Sequence, residues 1–360
     1  EGAEKKRTLR AVESADLSEK TKGAVSVVTV DLDHDGALDL VVARKMMDGA
    51  KGPGAGPLSI WRNRGHFQFA DVSSRSGLSQ GPKGAASLAA VDWNHDFDMD
   101  VVVAGTGGSP AEVRYLQGVG EGRFQLREPP ARDNSVFQSA TTLALLDSDA
   151  NGWTDVLAAG PAGIALMTAS STQPGELNLL RCETISDFPA DHLLVLDYDN
   201  DGCQDVVAWN GDAVGVFHGA GNGRFEPATG VVPDTLKTLV AADAADLDGD
   251  GDIDILAVLP DAGGGRLHLL RNEGGNANNW IDVRLAGAPA GIGLGSMLQL
   301  KSSFICQSQV VAGLVTHFGI GNLPSADILR IVWPNGVPAD IMQPAKNKVV
   351  RASPPKGGWR

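Results

Sequence analysis

The chain has 360 residues, a formal net charge of −14 and 42% hydrophobic residues. That length holds one large domain or two ordinary ones, and the apolar share suits a buried core rather than a disordered polymer. The negative charge argues against nucleic acid as a partner, because phosphates would be repelled; no apolar run approaches the roughly 20 residues that span a bilayer.

The opening stretch EGAEKKRTLR lacks the apolar run of a secretory signal, so such a segment has been removed or never existed. With 45 glycines and 19 prolines, the composition fits many short strands joined by tight turns. The three cysteines, Cys182, Cys203 and Cys306, form no CxxC pair, which argues against zinc and redox motifs. They read as small buried hydrophobes, with at least one free thiol.

Along the chain, an apolar segment is followed five times by an acidic loop and a second apolar run. The loops are DLDHDGALDLV from Asp31, DWNHDFDMDVV from Asp92, DSDANGWTDVL from Asp147, DYDNDGCQDVV from Asp197 and DLDGDGDIDIL from Asp246. Such a period marks a propeller, solenoid or array. Aligned, position 1 is always Asp. Position 3 is Asp33, Asn94, Asp149, Asp199 and Asp248; position 5 is Asp35, Asp96, Asn151, Asp201 and Asp250. Position 6 is Gly36, Phe97, Gly152, Gly202 and Gly251, and position 9 is Asp39, Asp100, Asp155, Asp205 and Asp254. Positions 3 and 5 vary only between Asp and Asn, so a side-chain oxygen is always kept.

Hard cations account for that restriction. Calcium takes six to eight oxygens, and alternate residues of a tight loop can aim several inward. Positions 1, 3, 5 and 9 are expected to supply side chains and position 7 a carbonyl, giving up to five calcium sites; glycine at position 6 permits positive φ. Five divalent ions would cancel ten of the negative charges. The second loop, with Phe97 for glycine and an added Asp98, is the exception to the pattern. An EF-hand begins the same way, but it needs a Glu at position 12 and flanking helices. Position 12 here is Val42, Val103, Ala158, Ala208 and Ala257, inside β-rich runs.

Further strands follow each loop, and several end in a Gly turn before Phe: LSIWRNRGHFQF, VRYLQGVGEGRFQL and VGVFHGAGNGRFEP. The third repeat, IALMTASSTQPGEL, is degenerate. About four strands in about fifty residues describe one propeller blade.

The D-x-D-x-D-G-x-x-D pattern with its N-x-G-x-x-F turn resembles the FG-GAP/VCBS repeat, as in the calcium-bearing blades of integrin α chains, over roughly residues 20–275. The resemblance implies an all-β β-propeller with calcium in hairpin loops on one rim, usually outside the cytoplasm. Five blades are visible; seven are usual in the family. The segment RTLRAVESADL, residues 7–17, is similar to the outer strand FQFADVSSRSGL and is expected to complete the last blade. The propeller is placed at residues 1–275.

Residues 276–360 read as a smaller all-β unit. NNWIDVRLAG, GIGLGSMLQL, VTHFGIGN and ADILRIVWPNG resemble the ASPIC/UnbV domain at Asn279, Trp280, Val283, Leu285, Gly293, His317, Phe318, Gly319, Gly321, Trp333, Pro334 and Gly336. The segment before His317 is shorter than the family pattern. The same combination describes the cartilage acidic protein 1 group and many bacterial surface or periplasmic proteins. GIGLGS lacks the Lys-Ser/Thr ending and strand–helix setting of a phosphate loop. Trp280 and Trp333 are expected to be core anchors.

Catalytic signatures are missing from the sequence: there is no H-E-x-x-H and no G-x-S-x-G. His34 and His95 sit at position 4 of their loops, pointing away from a metal, and His317 is read as structural. The expected function is a calcium-stabilised extracytoplasmic binding or scaffold protein for a protein or glycan, secreted, at the cell surface or periplasmic. The alternatives are a polysaccharide-active propeller enzyme, and a structural subunit of a larger assembly.

Overall fold

The computed structural model describes residues 17, 20–45, 57–78, 84–105, 113–127, 133–171, 175–176, 178–233, 236–286, 293–303 and 305–355. Five antiparallel sheets follow one another along the chain, each an up-and-down series in which sequence neighbours pair. The first holds β1 (Ala24–Val30), β2 (Asp39–Arg44), β3 (Leu58–Asn63) and β4 (Phe69–Asp71). The second holds β5 (Ala85–Val91), β6 (Asp100–Gly105), β7 (Val113–Gly118) and β8 (Phe124–Arg127). In the third are β9 (Thr142–Leu146), β10 (Asp155–Gly160), β11 (Gly163–Ser170) and β12 (Asn178–Ser186). The fourth comprises β13 (His192–Leu196), β14 (Asp205–Trp209), β15 (Val214–Gly219) and β16 (Phe225–Ala228). The fifth has three strands among the described residues: β17 (Ala241–Ala245), β18 (Asp254–Asp261) and β19 (Gly264–Leu270). The N-terminal segment expected to complete it lies, apart from Leu17, outside the described residues. The third repeat, degenerate in sequence, still builds four strands.

The second strand of each of the first four sheets is buried on both faces, which is why it reads as a continuous apolar run rather than an alternation. First strands touch in series: β1 on β5, β5 on β9, β9 on β13 and β13 on β17. Apolar clusters lie between consecutive sheets. Val41 and Ile60 of the first meet Val101 and Leu116 of the second; Val102 and Tyr115 meet Val156 and Met167; Leu157 and Leu166 meet Val206 and Phe217; Val207 and Trp209 meet Ile255 and Ala257. This is the blade-on-blade packing of an all-β propeller, with the first strands innermost.

Beyond the fifth sheet lie β20 (Asn279–Leu285), β21 (Met297–Ser302), β22 (Ile305–Val310), β23 (Thr316–Gly321), β24 (Ile328–Val332), β25 (Pro338–Met342) and β26 (Lys348–Ala352). They form two sheets, ordered β23-β20-β26 and β22-β21-β24-β25, with β20 and β26 parallel. Ile281, Val283 and Phe318 from one sheet and Leu298, Leu329 and Trp333 from the other make a separate core. Trp333 is the buried anchor expected of it, whereas Trp280 is only half-buried. A cavity of about 520 Å³ lies between the inner strands and this C-terminal part, lined by Val28, Leu88, Leu145 and Val195 on one side and Leu294 and Val310 on the other.

Candidate metal centres

All five acidic loops join the first strand of their sheet to the second, and the position-9 aspartate opens the second strand in each. The turn is made by two left-handed residues. Position 4 has φ of 60° at His34, 56° at His95, 55° at Ala150, 57° at Asn200 and 82° at Gly249. Position 6 has φ of 85°, 74°, 87°, 95° and 95° at Gly36, Phe97, Gly152, Gly202 and Gly251. Glycine takes that conformation without cost; Phe97 does not.

The hydrogen-bond pattern repeats. The position-1 carboxylate accepts the position-6 amide at 2.8 Å from Gly36, 3.0 Å from Phe97, Gly152 and Gly202, and 3.1 Å from Gly251. The position-5 side chain accepts the position-7 amide in every loop. Position 9 bridges outward. Its Oδ2 accepts the position-2 amide, and its Oδ1 accepts an amide at the end of the third strand, from Asn63 and Gly118 at 2.7 Å and from Ala169, Gly219 and Asn272 at 2.8 Å. Both oxygens of this aspartate thus tie loop, second strand and third strand together.

Charge is crowded at these loops. Donor oxygens of Asp31, Asp33 and Asp35 lie within 4.8 Å of one another, as do those of Asp147, Asp149 and Asp155, of Asp197, Asp199 and Asp205, and of Asp246, Asp248 and Asp250. In the second loop the Asn94 amide donates to Asp96 at 2.7 Å, as the Asn151 amide does to Asp149 at 3.0 Å in the third. Burial first, and backbone donors and neighbouring carboxylates after it, set the proton affinities. Asp39 is pushed up to about 6, Asp92, Asp155 and Asp205 to about 7, and Asp100, Asp147 and Asp197 well above the usual carboxylate range. Asp33 Oδ1 and Asp197 Oδ1 are enclosed and accept no hydrogen bond. Buried, unpartnered anionic oxygen is costly, and a cation relieves it. An all-oxygen donor set with orphaned carboxylate atoms fits a hard divalent ion.

Two features of these loops escape a reading of the sequence. One is the residue before each third-strand amide. Arg62 pairs with Asp33, and Arg271 lies 2.7 Å from Asp248 and 3.2 Å from Asp250, so guanidinium groups enter the first and fifth loops. The signal is present in the R-N dipeptides of LSIWRN and LHLLRN. The other is that the loops carry the C-terminal strands. His34 Nδ1 lies 2.7 Å from the Pro334 carbonyl. Asn151 bridges to Cys306, Asp147 Oδ2 accepts the Ser308 amide at 2.9 Å, and Gln299 donates to the Gly152 carbonyl at 3.2 Å. Asn200 Oδ1 lies 2.6 Å from His317 Nε2, whose Nδ1 is 2.8 Å from Asp282. His317 therefore links the C-terminal sheets to the fourth loop. His95 stacks on Trp153, with ring centroids 3.8 Å apart.

A family model and a curated relative each match part of the chain. An FG-GAP-like repeat family model matches residues 197–257, the fourth loop through the fifth. Cartilage acidic protein 1 of Xenopus tropicalis is 22% identical over 303 residues, covering 78% of this chain and 38% of its own length. The chain thus spans well under half of that curated relative. Among solved structures, an Agrocybe aegerita lectin specific for non-reducing terminal N-acetylglucosamine aligns over 88% of this chain and 79% of its own, at 13% identity and a TM-score of 0.45. The Vibrio cholerae biofilm matrix protein Bap1 aligns over 89% and 59%, at 13% identity and a TM-score of 0.41. The repeated sheets with their acidic loops make an all-β propeller, in which residues 197–257 match the FG-GAP-like repeat and whose sequence is similar to cartilage acidic protein 1.

Proposed function

We propose that the chain is a calcium-stabilised binding or scaffold module working outside the cytoplasm, and that the carboxylates of its five loops are cation ligands. The ligands are the position 1, 3, 5 and 9 side chains, from Asp31, Asp33, Asp35 and Asp39 in the first loop to Asp246, Asp248, Asp250 and Asp254 in the fifth. The observation that carries this is the pair of enclosed, unpartnered oxygens, Asp33 Oδ1 and Asp197 Oδ1, inside converging carboxylates. Calcium at millimolar concentration outside cells would fill even weak oxygen cages. Its contribution is stabilisation of the folded state by RT ln(1 + [L]/Kd), about 2.7 kcal/mol at a hundredfold excess over Kd.

The described residues that line the central cavity are mostly aliphatic, and none of them is His, Asp or Glu. Glycosidic cleavage needs a pair of carboxyl groups there. A protein or glycan partner would instead use the propeller surface. No helix among the described residues is long and apolar enough to cross a membrane.

The test is thermal unfolding in 2 mM calcium (about the extracellular level) and in chelator. Calcium is expected to raise Tm by several degrees. Coincident curves would remove the cation reading. Glycan-array binding and pull-down would then separate a glycan ligand from a protein partner.

A further inference from the structure

One residue beside each loop changes its chemistry from sheet to sheet. Arg62, Gln117, Thr168, His218 and Arg271 are equivalent, because each directly precedes the residue whose amide meets the position-9 carboxylate. Arginine donates only and cannot ligate a cation. Gln117 Oε1 is taken by Arg127 at 2.5 Å, and Thr168 Oγ1 donates to the Arg181 carbonyl at 3.4 Å. Only His218 brings an imidazole.

Its placement is specific. Nδ1 lies 3.0 Å from Asp205 Oδ1 and 3.8 Å from Asp199 Oδ2, and Nε2 lies 3.8 Å from Asp201 Oδ2. Donor atoms of Asp199, Asp201 and His218 all lie within 4.8 Å of one another, and Asp199 also belongs to the group with Asp197 and Asp205. Asp197, only 6% exposed, contributes an independent sign: its Oδ1 is enclosed and accepts no hydrogen bond.

We propose that the fourth loop together with His218 is a mixed nitrogen–oxygen centre for a zinc-class divalent ion, distinct from the oxygen-only cages of the other loops. It rests on the reading that these loops hold cations, and it names the ion for one of them. Calcium takes oxygen ligands, whereas zinc combines imidazole and carboxylate at about 2.0–2.2 Å, and imidazole sites favour it over earlier first-row ions. Ligand atoms around a tetrahedral ion with such bonds stand about 3.4 Å apart, so the 3.8 Å between His218 Nε2 and Asp201 Oδ2 needs only a small contraction. Asp205 supplies the orienting contact. Its carboxylate is fixed by the Tyr198 and Gly219 amides and faces His218 Nδ1, leaving Nε2 towards Asp201 as the ligating nitrogen.

The experiment is zinc chloride titration of the untagged full chain by calorimetry, at fixed neutral pH with calcium held at millimolar concentration. One equivalent is expected to bind with sub-micromolar Kd. His218→Gln and His218→Asp should each weaken it at least tenfold while keeping the calcium-dependent rise in Tm, which also shows that the variants fold. Absence of zinc binding in a wild-type chain that calcium still stabilises would overturn this centre alone. Equal zinc affinity in wild type and both variants would place the ion elsewhere and overturn it too. If calcium also leaves the wild-type Tm unmoved, the cation reading of the loops falls with it.

Discussion

The Trp280 indole lies where a side chain on Gly251 would be: a methyl group there would sit 1.8 Å from Trp280 Nε1. The third and fourth loops repeat the relationship, with Cys306 Sγ 3.2 Å from the same point on Gly152 and Gln307 Nε2 3.2 Å from it on Gly202. In the second loop the roles reverse. The loop supplies Phe97, and the C-terminal part supplies Gly336, whose added methyl would lie 3.1 Å from the Phe97 ring. In the second to fifth loops position 6 is therefore a turn and a docking socket at once, which explains why its one large residue faces a glycine.

Two glycines of the fifth loop separate these roles. Gly249 and Gly251 both have positive φ, 82° and 95°, but a methyl group on Gly249 would meet nothing within 4 Å. Gly249→Ala is expected to cost about 1 kcal/mol from backbone strain alone. Gly251→Ala should cost more, about 2–4 kcal/mol, as overpacking adds to strain. A double-mutant cycle by chemical unfolding checks this, with Trp280→Ala expected to recover part of the Gly251→Ala loss but none of the Gly249→Ala loss.

Position 9 and position 3 should behave differently. Asp155 is fully buried and accepts the Ser148 hydroxyl as well as the Ser148 and Ala169 amides, whereas Asp149 interacts only within its loop. Asp155→Ala would orphan two buried amides, at about 1–3 kcal/mol each. Most of the loss should already be present in chelator, and calcium should not restore it. Asp149→Ala should cost under about 1 kcal/mol in chelator, yet reduce the calcium-dependent gain in Tm.

Much of this is legible in the sequence because the loops repeat. Five copies establish the strand–loop–strand order and exclude helices, since position 12 has to lie in a strand. Asp and Asn alternating at positions 3 and 5 point to oxygen ligation. What stays hidden is pairwise and distant. Nothing in Trp280 alone says that it covers Gly251, and His218 becomes notable only when register brings it beside Asp199 and Asp205. The position-9 aspartates read as ligands in the sequence, and the structure gives them a second role, because both of their oxygens already hold backbone amides.

Proton linkage gives a third outcome. In chelator, Asp39 at about 6 and Asp92, Asp155 and Asp205 at about 7 stand above the unfolded carboxylate value of 3.8, chiefly through burial. The folded state then holds protons that the unfolded chain has lost, so stability falls as pH rises from about 4 through about 7, and the raised Asp100, Asp147 and Asp197 act in the same direction. His95 opposes this. Burial lowers it from 6.5 to about 4, so its contribution is full above 6.5 and fades as pH falls. Four carboxylates outnumber one imidazole, and the net slope of Tm in chelator should be downward. Calcium competes with those protons, so the calcium-dependent gain in Tm should grow over the same interval. A flat chelator profile would contradict the burial of these acids.

The fifth sheet predicts a surface effect. Register aligns Ile60, Tyr115, Leu166, Val216 and Leu269, each two residues along the ladder from its position-9 aspartate. The first four are 0%, 5%, 3% and 5% exposed because the following sheet covers them; Leu269 is 57% exposed, and Leu267 beside it 62%. Paired exposed leucines on one face of a strand favour self-association. The double variant Leu267→Lys, Leu269→Lys is expected to lower concentration-dependent association in sedimentation velocity. It should change stability by less than about 1 kcal/mol, because exposed side chains give up little packing. A loss above about 2 kcal/mol would mean that both leucines are packed in solution, with the face closed as it is between every other pair of successive sheets.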